Sequence, residues 1–185
     1  LMGYNVSGDK EPINYIWNSE STEPDDGGAI IATDLIKGRW IMVTPTEHLD
    51  VRHYGVFPSN SQNMLDQTLA IQYALIYANN HGLRLFFDTL TNTQSYHYYK
   101  LTNITLNPIN QIDLAKGVTF IDNDVTIHSQ QSLAFNNDPY FLNGDTTLYS
   151  NYAKASWNIK ALNKANTNEC GTYIIDSNSS STTVK

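Results

Sequence analysis

Leu49-Asp50-Val51-Arg52-His53-Tyr54-Gly55-Val56, then Asp66-Gln67-Thr68-Leu69-Ala70-Ile71-Gln72-Tyr73-Ala74, then Gly82-Leu83-Arg84-Leu85-Phe86-Phe87 follow one another along one stretch of the chain. The first segment alternates apolar and polar residues with period two, the pattern of a strand. The second reads as a helix. Asn63 or Asp66 can cap it, Ile71, Ala74, Leu75 and Ala78 share one face, and Asn80-His81-Gly82 ends it with a residue tolerant of the left-handed region. The third segment is a strand again. A single amphipathic helix between strands has to cover something apolar, and Ile71, Ala74, Leu75 and Ala78 are its covering face, with Asp66 as the capping residue.

Downstream of this stretch the chain is all short strands. Tyr96-His97-Tyr98-Tyr99-Lys100-Leu101, Ile104-Thr105-Leu106, Gly117-Val118-Thr119-Phe120-Ile121, Val125-Thr126-Ile127, Ala155-Ser156-Trp157-Asn158-Ile159 and Tyr173-Ile174-Ile175 are joined by connections of variable length, several rich in Asn, Asp or Gly. The spacing lacks a strict short period, yet large-coil parallel solenoids read this way too. With a coil on the order of 20 to 25 residues, the segment from 83 onward holds roughly four or five coils.

Upstream, apolar clusters alternate with turn formers: Tyr15-Ile16-Trp17, Asp25-Asp26-Gly27-Gly28, Ala29-Ile30-Ile31-Ala32, Lys37-Gly38-Arg39 and Trp40-Ile41-Met42-Val43. Asp-Gly and Gly-Gly supply the positive φ of tight turns, so a sheet of three or four strands is expected. Trp17 and Trp40 are expected to form its core, burial being the default for tryptophan where little else is available to bury; the alternative is a sugar-stacking platform. A boundary near residues 46 to 50 divides a small β domain, 1–48, from a second unit, 49–185.

Composition agrees with a mainly β chain. Of 185 residues 41% are hydrophobic and only 16% charged, and the polar share is carried by Asn, Thr, Ser and 12 Tyr. The net charge of -7, from 11 basic and 18 acidic residues, leaves no basic surplus for phosphates, so nucleic acid is not an expected partner. The single cysteine, Cys170, excludes an internal disulfide framework. No apolar run approaches the ~20 residues of a membrane span, so membrane insertion is not expected. Because the chain starts Leu1-Met2 and stops soon after a strand-like segment, it is expected to be a piece of a longer protein.

The three opening segments together resemble the start of the pectate-lyase-like β-helix superfamily, with its V-R-x-F/Y-G-A strand, its D-x-T-x-A-I-Q-x-A-I capping helix and its G-x-V-x-F-P strand. Gly3-Tyr4, Gly8-Asp9, Tyr15-Ile16-Trp17, Asp25-Asp26-Gly27-Gly28-Ala29-Ile30-Ile31 and Gly38-Arg39-Trp40 look like the small β domain that precedes it in phage tail spikes and tail fibres. The resemblance covers residues 1 to about 127. It implies a small N-terminal β domain followed by the start of a right-handed parallel β-helix, its first coil covered by the amphipathic helix. Gln72, in the A-I-Q element, would satisfy backbone groups of that coil. Phe87-Asp88 departs from the Phe-Pro of the pattern, and Val56 from its Ala. The resemblance further implies a homotrimer, contact with virion tail proteins and cell-surface polysaccharide, and a place in the virion tail or outside the cell. A polysaccharide lyase or hydrolase with its catalytic coils mostly beyond this segment, and a non-catalytic adhesin, are the alternatives.

Chemistry-bearing residues are sparse. A glycosidase needs two carboxyl groups about 5 to 10 Å apart. The one tight acidic pair in a strand context is Asp122 and Asp124, although Asp122-Asn123-Asp124 between apolar triplets reads first as a turn. The five histidines have no metal-binding spacing, and no cofactor-binding loop is present, so no metal or cofactor is expected. Tyr96, Tyr98 and Tyr99 are the carbohydrate-binding candidates, since exposed tyrosines stack on sugars and offer hydroxyls; contact with another subunit is the alternative.

Overall fold

Three strands open the computed structural model as an antiparallel sheet in the order β1-β3-β2: β1 (Tyr15–Asn18), β2 (Ile30–Ala32) and β3 (Arg39–Met42). The structure describes residues 3–34, 36–89, 97–131, 135–137, 139–143, 146–150, 159–162, 169–173 and 181–184, with backbone pairing alone from 147 onward. The turn before β2 is built by two aspartates. Asp25 Oδ1 accepts from the amide of Gly27 (2.7 Å), and Asp26 Oδ1 accepts from Gly28 and Ile30 (3.0 and 2.8 Å), while Gly27 takes the positive φ of 79°. Tyr54, further along the chain, donates its hydroxyl to Asp26 Oδ2 at 3.0 Å and so ties the sheet to the strands and helix beyond residue 48.

The chain then runs through β4 (His48–Asp50), a 3₁₀ turn (Val51–Tyr54), the helix α1 (Thr68–Asn80) and β5 (Arg84–Phe87). The strand expected over Leu49–Val56 thus ends at Asp50. Its carboxylate caps the turn by accepting from the Arg52 amide at 2.8 Å, and Gly55, at φ 75°, closes it. β4, β5 and a later short strand, β7 (Asp113–Leu114), form a parallel three-stranded wall.

Between visits to that wall the chain crosses to a second one. β6 (His97–Leu106) pairs in parallel with β8 (Val118–Ser129), and the partner of each residue lies 21 positions further along, from His97↔Val118 to Leu106↔Ile127. On the other side of β8 the same offset recurs twice, in Thr119↔Tyr140 to β9 (Tyr140–Phe141) and in Val125↔Thr146 to β10 (Thr146–Ser150). The ladder between β6 and β8 skips Asn103 and Asp124, both left-handed at φ 48° and 51°, so both strands bend at the same level. Asp122-Asn123-Asp124 is therefore a bend inside a continuous strand and not the expected turn. Further on, β11 (Ile159–Leu162) joins β9 in parallel, whereas β12 (Glu169–Tyr173) and β13 (Ser181–Val184) pair antiparallel to β11 and β10. Among the described residues the chain is mainly strands with a single α-helix, and no helix is long and apolar enough to cross a membrane.

The two walls enclose one core. Tyr99, Phe120 and Phe141, equivalent positions of successive strands, stack inside it with ring centroids 6.3 and 5.6 Å apart, and Phe87 meets the first two edge to face at 5.0 and 5.3 Å. Ile71, Ala74, Leu75, Tyr77 and Ala78 of α1 are buried in the same cluster, and full burial of Ile71 or Leu75 contributes about 1.5–3 kcal/mol each. Ala29 and Met42 of the small sheet belong to it too, so that sheet has no separate core. Trp17 and Trp40 lie outside it, 38% and 44% exposed, which corrects the expectation that they are buried. Their strands run past the edge of the core: Met42 is covered, while the Trp pair further along the same sheet face is not.

Side-chain amides fasten one circuit to the next. Asn79 donates to the carbonyl of Asn107 and accepts from the amide of Ile109, and Gln131 donates to the carbonyl of Ile109 (2.9, 3.0 and 2.7 Å). Asn136 and Asn137 hold the amide and carbonyl of Leu114 in the same way. Low charge and abundant amides are thus what the connections between circuits require, since each buried backbone group needs a partner.

Candidate functional site

β6 has β8 on one side only, and a segment ahead of α1 covers its other edge. The amide of Tyr98 donates to the carbonyl of Ser59 (2.8 Å), that of Lys100 to Gln67 Oε1 (3.4 Å) and that of Thr102 to Thr68 Oγ1 (2.8 Å). In return the amides of Ser59 and Gln67 donate to the carbonyls of Tyr98 and Lys100 (3.0 and 3.3 Å). From Tyr98 to Thr102, the alternate groups that an edge strand would offer to another chain are thereby occupied. Gln67 Nε2 also reaches the carbonyl of Phe57 at 2.7 Å. Gln72, expected to serve the first coil in this way, is exposed on the outer side of α1, because it sits one position away from the buried Ile71. Asp66 accepts from the Thr68 amide at 2.9 Å. Burial works to raise its pKa, but hydrogen bonds from Thr102 and Thr68 and the nearby Lys100 hold it below the ordinary value.

Across the outer face of the stacked strands runs a groove of about 390 Å³, lined by Lys100 and Thr102 of β6, Ile121 and Asn123 of β8, Leu142 and Asn143 after β9, and Gln62 from the covering segment. Lys100 pairs with Ile121 and Thr102 with Asn123, so the lining repeats from strand to strand. It presents an ammonium, a hydroxyl and three amides beside apolar patches, and none of its lining residues is a carboxylate. Such a surface can hold a polyhydroxylated or acidic chain by hydrogen bonds, and it lacks the acid and base of a cleavage site.

The acidic candidates lie apart from this chemistry. Asp122 is fully buried; its Oδ1 accepts from the amide of Asn143 (2.9 Å) and its Oδ2 from the hydroxyl of Thr146 (2.8 Å), which makes it a brace between β8 and the next circuit. Asp124 is exposed, and the bend places it off the ladder. Tyr98 is 7% exposed and Tyr99 fully buried, its hydroxyl donating to the carbonyl of Asp88 at 2.6 Å, so neither ring offers the exposed face expected for sugar stacking. Tyr96 lies outside the described residues. Tyr99 points into the core against Phe87 and Phe120, while Tyr98, on the opposite face of β6, is covered by Leu142 and Met64.

A second concavity, about 540 Å³, opens between the small sheet and β4 and is lined by Glu11, His48, Asp50, Arg52, His53 and Asp88 among others. Arg52 fills its charged part. The guanidinium meets Asp50 through Nε at 2.8 Å and Asp88 at 2.8 Å, tying β4 to the end of β5. Burial works against the Arg52 charge, but hydrogen bonding to Asp50 and the field of both carboxylates hold its pKa above the ordinary value. Asp88, where the resemblance had proline, is therefore an ion-pair partner of the covering region. With both carboxylates committed to one guanidinium, the arrangement is a brace rather than an acid–base pair. Among the described residues no group of three or more His, Cys, Asp or Glu is placed to hold a metal.

Gln67 of the covered edge and Asn123 and Asn143 of the groove are the residues that sequence reasoning missed. The signal available for the latter two is the spacing of 21, which relates Thr102 to Asn123 and Asp122 to Asn143. Comparison with protein-family models finds no match, and comparison with curated proteins finds none either.

Proposed function

We propose that this chain is the attachment portion of a tail-spike- or tail-fibre-like protein: a small β domain over residues 1–48, then the start of a right-handed parallel β-helix whose first coil is covered by α1. It works in the virion tail or outside the cell, as a homotrimer, and presents stacked strands to host polysaccharide. The observation that carries this reading is the constant offset of 21 residues through β6, β8 and the β9–β10 pair, together with a covered edge on β6. A solenoid repeats itself in this manner, and a covered first edge is how it avoids end-to-end pairing. The groove on the stacked strands carries amides and an ammonium with no carboxylate, which suits holding a glycan more than cutting one.

The test is sedimentation of the full chain together with its binding to an array of bacterial surface polysaccharides. A trimer that binds, and whose Asn123→Ala variant binds at least tenfold more weakly, supports the reading. A monomer would remove the trimer, and binding insensitive to Asn123 would remove the groove.

A further inference from the structure

Trp17 and Trp40 face each other across β1 and β3, with ring centroids 5.3 Å apart and planes inclined at 56°. Each is about two-fifths exposed. The pair is rigid on one flank, because the backbone of Gly38, at φ 98°, lies so close to Trp17 that an added Cβ would stand 2.3 Å from the indole. Its rim is polar: Lys37 and Glu20 form an exposed ion pair at 3.2 Å, and the amide of Gly38 donates to the carbonyl of Ser21, binding the two rim segments together.

We infer that the exposed face of this tryptophan pair is a binding site for a neutral hexopyranose unit of a polysaccharide. A pyranose ring has an apolar face of C–H bonds and a perimeter of hydroxyls, and the site offers the complement, two fixed indole surfaces inside a rim of carboxylate and ammonium. Size argues against a protein partner. The exposed indole surface is on the order of 200 Å² at most for the pair, against ~800 Å² per partner in a stable protein interface. The net charge of -7 disfavours a polyuronate. The inference rests on the proposed glycan-engaging role for its ligand class, but it uses a separate face of the molecule from the groove on β6 and β8.

Affinity electrophoresis of the full chain through gels containing dextran, galactan, mannan or polygalacturonate tests it, with tryptophan emission read in parallel. At least one neutral polysaccharide is expected to retard the protein and shift the emission. Trp40→Ala, with unchanged far-ultraviolet circular dichroism, is expected to weaken retardation at least tenfold, Trp40→Phe to restore part of it, and Gln72→Ala, on the exposed side of α1, to leave it intact. The inference is overturned if no neutral gel retards the wild type, if Trp40→Ala is retarded like the wild type, or if Trp40→Ala turns an oligomer into a monomer. Loss in Asn123→Ala alone would instead assign the glycan to the strand groove.

Discussion

Gln67 and Lys100 pair as though they were neighbours in a sheet. The Gln67 amide donates to the Lys100 carbonyl at 3.3 Å, and the Gln67 side-chain oxygen stands in for a backbone carbonyl by accepting from the Lys100 amide at 3.4 Å. A residue at the threshold of a helix thus completes the edge of a strand. Gln67→Ala removes that acceptor and the bond to Phe57, and is expected to cost about 1–2 kcal/mol and to increase self-association through the uncovered edge. Urea titration and size-exclusion chromatography check this. Gln72→Ala, on the exposed side of the same helix, is expected to stay within about 0.5 kcal/mol of wild type.

Lys10 is buried, and among the described residues its ammonium has no hydrogen-bond partner. Burial holds its pKa below the ordinary value, against the fields of Asp9 and Asp50. Lys10→Met keeps the apolar stem and removes the charge, so it is expected to stabilise the protein by about 1–2 kcal/mol at neutral pH. Because the fold disfavours the charged form, the wild type recovers stability as pH rises toward the ordinary lysine value, and the advantage of the variant shrinks there. A variant less stable than wild type at pH 7 would contradict this account.

His53 is buried among Lys10, Asp50, Arg52 and His48, and its Nδ1 donates to the Asp50 carbonyl at 3.2 Å. Burial, then the Lys10 charge, push its pKa down to about 4, with Asp50 opposing. The unfolded chain therefore takes up this proton first. Stability is complete above the ordinary value near 6.5 and falls as pH drops toward 4, by on the order of 3 kcal/mol. Denaturation curves at pH 7 and pH 4.5 measure the slope, which His53→Gln is expected to flatten in that window.

Asp122→Asn turns an acceptor into a donor where the Asn143 amide and the Thr146 hydroxyl both give protons. A loss of about 1–3 kcal/mol is expected from the unmet groups. Measured by thermal unfolding, a variant as stable as wild type would show that Asp122 is not the brace described.

Sequence reading reached the helix and its buried face because a 3.6-residue period stands out against strands, and it reached the small sheet through its glycine turns. The period of 21 escaped it. Tyr99, Phe120 and Phe141 keep that spacing, as do Asn103, Asp124 and Asp145, but most pairs exchange residue type: Thr102 faces Asn123 and Leu101 faces Asp122. Contact between neighbouring strands selects size and hydrogen bonding rather than identity, so the offset shows in register and not in letters. Gln72 stands in the sequence as readily as Gln67 for the role of edge partner, because sequence position does not say which helix side meets the strand edge. The exposure of Trp17 and Trp40 depends on where the core ends, a tertiary fact that no local pattern carries.

The offset of 21 residues from β6 to β8, and from β8 to β9 and β10, makes this stretch a ruler. Neighbouring strands lie about 4.8 Å apart, so each repeat adds one step of reach and returns every side chain to the orientation it had before. Within that stretch, removing 21 residues would leave each remaining side chain facing as it did before. A change that departs from that length by an odd number of residues must be absorbed in the connections, or it slips the register and turns buried residues outward.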